Sequence, residues 1–271
     1  MKIISKILSL VIMTGLLVSS FTACGGKETP SENSREISSE SYKISGAFAE
    51  KSIWFLTHQN ESPAKDTEIR AVFVFDGKGN FTIYDVTSDT FGSNDTFISN
   101  SDYEPLCFGD LRDLSDEEIL ELVKEKNRTW FEATKQYAIK LADGEAESYY
   151  GDSTELNTIR DKWEQLEYES QIFQQPVRLE ITTDDTGNQT AEERLCYIST
   201  PARALDSSDA SILPPFDEES RSNIIKLYPT NSSYIVYDKT FMGCGNLYQI
   251  REEGEFGWGF DTPDTEGIKV D

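Results

Sequence analysis

No glycine or proline falls between Leu111 and Asp143. That uninterrupted stretch, set between β-patterned segments on both sides, restricts the chain more than any other feature. Ser115 with Glu118 three residues on is a capping box, and Asp116 and Glu117 add acid to a first turn whose free N–H groups favour it. Ile119, Leu122 and Val123 recur at helical spacing, and Trp130, Ala133, Tyr137 and Leu141 continue the face. Glu121/Lys124, Glu125/Arg128 and Glu132/Lys135 are oppositely charged i,i+3 pairs for a wet side. The polar run Lys124 to Arg128 leaves open whether this is one helix or two. Asp143-Gly144 is a natural stop. A second helix is expected from Asp152 or Ser153, with Leu156, Ile159, Trp163, Leu166 and Phe173 as its stripe. Pro176 ends it.

Around these helices the period falls to two. Ser52–Thr57 is a short β-like run. Ile69–Phe75 and Phe81–Val86 flank Asp76-Gly77-Lys78-Gly79-Asn80, a hairpin signal. From Val177, apolar Val177, Leu179 and Ile181 alternate with polar Arg178, Glu180 and Thr182, a strand with one wet face. Asp184–Asn188 is a second turn, and Arg194–Ser199 returns. Leu205–Ser220 reads as a long acidic loop. Ile224–Tyr228, Tyr234–Tyr237, Leu247–Ile250 and Glu255–Phe260 follow as strands. The expected fold is α+β: an antiparallel β-sheet or sandwich with a central α-helical hairpin insertion. Whether the two β parts share one sheet is left open by the pattern.

The start of the chain has a different character. Lys2 and Lys6 precede the apolar run Ile7–Val18, too short for a membrane-spanning helix of about 20 residues. Small residues then lead into Phe21-Thr22-Ala23-Cys24-Gly25-Gly26. This resembles a bacterial lipobox, with Phe21 standing where Leu is usual. The resemblance implies cleavage before Cys24 and a diacylglyceryl group on its sulfur. Gly25–Ser45 is rich in Ser, Glu, Gly and Lys and reads as a tether, with a reach of roughly 25 Å. The expected organisation is a lipoprotein signal peptide (1–23), a flexible tether (24–45), an N-terminal β segment (46–112), the helical hairpin (113–175) and a C-terminal β domain (176–271).

Charge narrows the partners. The 271 residues carry a formal net charge of −24, and aromatic residues make up 11%, too many for a disordered acidic tail. Such a surface repels nucleic acid and anionic headgroups, so no nucleic-acid partner is expected. Of four cysteines, Cys24 goes to the lipid. Cys107, Cys196 and Cys244 permit one disulfide at most; Cys196 and Cys244 lie in β-like segments and could pair, with buried free thiols the favoured reading.

Catalytic chemistry has little to stand on. His58 is the one histidine; it precedes a polar loop and reads as a surface residue, and no GxSxG motif accompanies any serine. Nucleotide-binding glycine motifs are absent, and no CxxC or Cys/His cluster points to zinc. Asp76 and Asn80 read as turn chemistry rather than calcium ligands. Asp206, Asp209, Asp217, Glu218 and Glu219 read as a solvated loop, with calcium as the alternative. Phe256, Trp258 and Phe260 read as the buried face of a late strand, with an aromatic ligand platform as the alternative. No catalytic residue, metal site or cofactor is therefore assigned.

FVFDGKGNF, GDLRDLSDEEILELVKE, LEITTDDTGN and the closing DTPDTEGIKVD resemble blocks of small Gram-positive surface lipoproteins of uncharacterised function. That resemblance implies the anchor and no activity. The expectation is a lipoprotein held by acyl chains on Cys24 at the extracytoplasmic face of the bacterial cell membrane. It would be non-enzymatic and bind a small ligand or another envelope protein. The alternative is an envelope hydrolase using paired carboxylates.

Overall fold

Two aspartates shape the hairpins at the centre of the molecule. Asp76 accepts the backbone N–H groups of Lys78 at 2.7 Å and Asn80 at 3.0 Å, and Gly77 and Gly79 supply the left-handed conformations the turn needs. Asp184 does the same between later strands, taking the Thr186 hydroxyl at 2.7 Å. The computed structural model describes residues 42–87, 89–90, 98–99, 103–143, 153–207, 221–229, 232–252 and 257–270. All belong to one compact unit, Ser38–Asp271. The signal segment, Cys24, the tether as far as residue 41, the acids at 209 and 217–219, and Phe256 lie outside the described residues.

In chain order the elements begin with β1 (Tyr42–Lys43), α1 (Ile44–Ala49), β2 (Lys51–Leu56), β3 (Ala71–Asp76) and β4 (Asn80–Asp85). A short pair, β5 (Asp89–Thr90) and β6 (Ile98–Ser99), precedes α2 (Asp116–Ala142) and α3 (Ser153–Gln165). Then come β7 (Gln174–Pro176), β8 (Arg178–Thr183), β9 (Thr190–Ile198), α4 (Pro201–Ser207) and β10 (Ser222–Leu227). The chain closes with β11 (Ser233–Val236), β12 (Lys239–Cys244), β13 (Leu247–Arg251), β14 (Trp258–Gly259) and β15 (Lys269–Val270).

The fold is mixed α+β, with mostly antiparallel sheets. A seven-stranded antiparallel sheet runs β11-β12-β13-β2-β3-β4-β7, so the early and late β stretches share one sheet. A four-stranded sheet, β10-β9-β8-β15, lies against it, with β15 parallel to β8. Alternation along β2, β3 and β4 sends Trp54, Phe73, Phe75, Phe81 and Ile83 inward. There they meet Leu179, Leu195, Ile225 and Leu227 of the smaller sheet. Each such side chain, fully buried, contributes about 1.5–3 kcal/mol. Phe48 of α1 stacks on Phe75 at 4.5 Å, and Trp258 meets Trp54 at 5.3 Å.

The opposite face of the large sheet carries Phe55, Val72, Tyr84, Phe241 and Tyr248. Leu106, Phe108, Leu111 and the α2 residues Ile119 and Val123 cover it. The capping box forms as expected, Glu118 accepting the Ser115 N–H and hydroxyl, each at 2.8 Å. One unbroken helix, α2, spans the polar run. Within that run Asn127 is 1% exposed and is not a break: its amide donates to the Asp85 carbonyl at 2.9 Å and accepts the Tyr168 hydroxyl at 3.1 Å. Further along α2, Trp130, Phe131 and Ala138 pack with Trp163 of α3 and Ala202 of α4. Lys135 donates to the Leu166 carbonyl at 2.9 Å, just beyond α3.

Several expectations are corrected. The buried stripe of α2 runs through Asn127, Phe131, Thr134 and Ala138, while Leu122, Ala133 and Tyr137 are only partly covered, because the helix faces the sheet at one end and other helices at the other. Helix α3 stops at Gln165, not near Phe173, and Pro176 sits in edge strand β7 opposite Asn80, where a missing N–H is tolerated. Pro201 opens α4, with the Thr200 hydroxyl accepting the Arg203 N–H, so a helix occupies the start of the expected acidic loop. Order begins before Gly46: Ile44 is fully buried and the Ser45 hydroxyl donates to Asp261. Strand β12 went unforeseen because it is covered on both faces, so Phe241 to Cys244 are all buried and no alternation shows. Cys107, Cys196 and Cys244 are free thiols. Cys196 and Cys244 belong to different sheets, and Cys196 is out of phase with the inward Leu195.

Candidate functional site

Helix α2 crosses the sheet at β4 and leaves one flank open. Leu114 and Leu122, together with Tyr84 of β4, Tyr168 and Ile172, line a groove of about 1060 Å³. The lining is mostly apolar. Glu117, Glu118, Glu121 and Glu125 stand along its helical side because the wet face of α2 recurs there. Lys124 pairs with Glu121 at 2.8 Å, and the Arg128 guanidinium lies 4.2 Å from the Tyr168 ring centre. Tyr168 is placed by a single turn of 3-10 helix, Tyr168–Gln171, which Gln171 anchors by accepting the Ala202 N–H at 2.7 Å. Burial raises the phenols of Tyr84 and Tyr168, so both stay neutral donors at physiological pH. The groove therefore offers grease below, acid above and neutral hydroxyls between.

A second concavity lies between the two sheets, at the Tyr197 end of β9. A small space of about 70 Å³ is lined by Asp85, Arg70, Arg203, Tyr197, Ser199, Thr200 and Asn223, against the apolar walls Leu56, Phe73 and Ile83. Asp85 is in phase with Phe81 and Ile83, so β4 carries it inward. It is 4% exposed and accepts the Thr200 hydroxyl at 2.6 Å. Burial raises its carboxyl, against the opposing pull of Arg203, the Thr200 hydroxyl and Arg70. A wider cleft of about 580 Å³ adjoins, sharing Leu56, Arg70 and Tyr197.

At the other end of β9, Glu193 is fully buried and its Oε2 accepts the Asp261 N–H at 2.9 Å. Its Oε1 is enclosed with no hydrogen-bond partner. Burial pushes Glu193 up to about 8, with the Asp261 carboxyl adding to the rise and Lys43 opposing it. The Asp261 carboxylate is taken by Ser45, from the N–H at 2.8 Å and the hydroxyl at 2.7 Å.

No protein-family model, curated protein or solved structure matches this chain.

The residues singled out in the sequence scatter. Trp258 is 2% exposed and packed into the inter-sheet core, with the Arg251 guanidinium 4.8 Å from its ring, so it offers no ligand platform. His58 is half-buried in the turn after β2, its carbonyl accepting the Glu61 N–H. Among the described residues no three His, Cys, Asp or Glu side chains gather as a metal site, and no helix is long and apolar enough to cross a membrane. Asp85 and Glu193 were missed. The available signal was an acid in phase with buried neighbours, Phe81-Ile83-Asp85 and Glu193-Leu195-Tyr197.

Proposed function

We propose that this chain is a non-enzymatic binding protein, held by acyl chains on Cys24 at the extracytoplasmic face of a bacterial cell membrane, whose α2 groove receives a segment of an envelope protein. The groove carries the reading: an apolar floor of about 1060 Å³ beside four glutamates suits an amphipathic, cationic segment laid in as a helix or extended chain. The formal charge of −24 supports a body held off anionic headgroups and reached through a tether. The finer reading of the helices as a hairpin inserted over 113–175 belongs to the same proposal. Phe131 against Trp163 at 6.2 Å, and Lys135 across the end of α3, support it.

An amphipathic Lys/Leu peptide titrated against the full-length protein in detergent tests the groove by fluorescence anisotropy. The doubly reversed variant Glu121→Lys/Glu125→Lys should weaken binding about tenfold or more, and more at low salt than at high. Equal binding by the variant would refute the groove. The anchor is tested separately by metabolic labelling with a fatty-acid analogue, which Cys24→Ala should abolish. The hydrolase reading needs two acids presented to a substrate. Glu193 and Asp261 are close, but they are 0% and 1% exposed, so that pair does not favour it.

A further inference from the structure

The space between the sheets at the Tyr197 end departs from the rest of the molecule in charge. A chain of net charge −24 places two guanidinium groups, Arg70 and Arg203, and a single carboxyl, Asp85, around about 70 Å³. Three separate elements bring them there. Arg70 stands just before β3, its N–H bonded to the Leu56 carbonyl at 2.7 Å. Asp85 ends β4, and Arg203 lies in the first turns of α4. Packing alone would fill such a space with apolar side chains, since a buried ionic group is replaced by them at little or no loss of stability. We propose that this inlet binds the head group of a free α-amino acid, the ammonium on Asp85 and the carboxylate on Arg70 and Arg203.

The fit is one of charge, size and surroundings. An α-amino acid head group has five heavy atoms, which suits about 70 Å³ where a liquid water takes about 30 Å³. With Arg70 and Arg203 turned to the ligand carboxylate, the buried Asp85 gains most from another charged donor, and an ammonium is that donor. A carboxylate meets planar guanidinium groups in matching geometry. Around the charges stand hydroxyl and amide groups. Thr200 bonds Asp85 and also caps α4, and Ser199 accepts the Asn223 amide at 2.7 Å. The amino acid's side chain would extend past Arg70 and Tyr197 into the adjoining cleft of about 580 Å³, which is lined by the polar residues Gln59, Asn60 and Ser62. This favours an amino acid with a polar side chain. The site is separate from the α2 groove and stands or falls independently of it.

Isothermal titration of the full-length protein in detergent with L-glutamine tests the proposal, with acetate and methylammonium as the half-ligands. Saturable binding of L-glutamine is expected, each half-ligand binding at least about tenfold more weakly because one charged contact is lost. Arg203→Met should weaken L-glutamine about tenfold or more. Arg203 is only half-buried in α4, so this variant keeps the test open even if Asp85→Asn, at a buried position, fails to fold. Absence of binding up to about 10 mM, a range that corresponds to no useful affinity, would overturn the proposal and leave a hydrated ionic network. Acetate binding as tightly as L-glutamine would also overturn it, in favour of a simple anion site. Unchanged binding by Arg203→Met would place any ligand elsewhere.

Discussion

The two ends of strand β9 bury a carboxyl each and treat it in opposite ways. At the Tyr197 end, Asp85 sits among Arg203, Arg70 and hydroxyls beside open space. At the other end, Glu193 is sealed under the C-terminal segment, with a backbone N–H as its bonded partner and a second carboxyl, Asp261, beside it. Burial penalises both charges. Only one end surrounds its acid with cations and hydroxyl donors. The other solves the problem with a proton: held at about 8, Glu193 is mostly neutral at physiological pH. A proton removes the buried charge and gives the carboxyl a hydrogen to share with Asp261. One end is built to meet something, and the other is built to stay shut.

The largest expected effect tests the shut end. The folded state holds the Glu193 proton more tightly than the unfolded chain, whose glutamate has its ordinary value of 4.5. Its contribution to stability is therefore complete below about pH 4.5, declines as pH rises, and is gone above about 8. At 1.36 kcal/mol per unit the span is on the order of 5 kcal/mol. Glu193→Gln mimics the protonated form, so its urea midpoint should be nearly flat between pH 5 and 8.5, after subtracting the background of the other groups. The wild-type midpoint should fall. Equal slopes would erase the contrast between the ends.

Next in size is Asn127→Ala, which asks whether the open end depends on α2. The change leaves the Asp85 carbonyl and the Tyr168 hydroxyl without the partners they have at 2.9 and 3.1 Å. A loss of about 2–3 kcal/mol is expected in chemical denaturation, from unmet buried polar groups. A loss under about 0.5 kcal/mol would mean that water replaces the amide between α2 and β4.

Much of this was written locally in the chain, and the rest was not. Helix α2 was legible because a capping box and a 3.6-residue period act over a few residues. Both Asx turns were legible because Asp76 and Asp184 bond their own loops. The pairing of β13 with β2 joins Leu247 to Leu56 across the chain, and no local pattern encodes that partner. The same non-locality hid the inlet, since Arg70, Asp85 and Arg203 meet only when β3, β4 and α4 do. The pairing of β1 was hidden for a related reason. Tyr42–Lys43 looks like linker until Trp258–Gly259 pairs with it in parallel register.

Ser45→Ala is expected to cost about 1 kcal/mol, since one of two bonds to the Asp261 carboxylate is lost and the N–H bond remains. Its effect should be local. Amide exchange should quicken across α1 and at β14, while Asp85 and its neighbours keep their protection. Faster exchange at Thr200–Arg203 would show that the ends of β9 are coupled rather than independent.

The smallest stability change is expected at the open end, from Arg203→Met without ligand. Met keeps an apolar stem in α4 and removes the charge that most opposes the rise of the Asp85 carboxyl. That carboxyl should then titrate at higher pH, which carbon-detected NMR reads directly. Arg70 and the Thr200 hydroxyl stay beside the Asp85 carboxyl when Arg203 is removed, so the denaturation midpoint should move by less than about 1 kcal/mol. The pair of readouts distinguishes the two designs. At Glu193 a change of protonation shifts global stability, because the one backbone N–H on Oε2 leaves Oε1 enclosed without a partner. At Asp85 a change of partner shifts the titration and spares the fold, as expected of a charge cluster poised for an exchangeable occupant. A large loss of stability in Arg203→Met would instead make the arginine a structural counter-charge, and the two ends would differ in wiring but not in purpose.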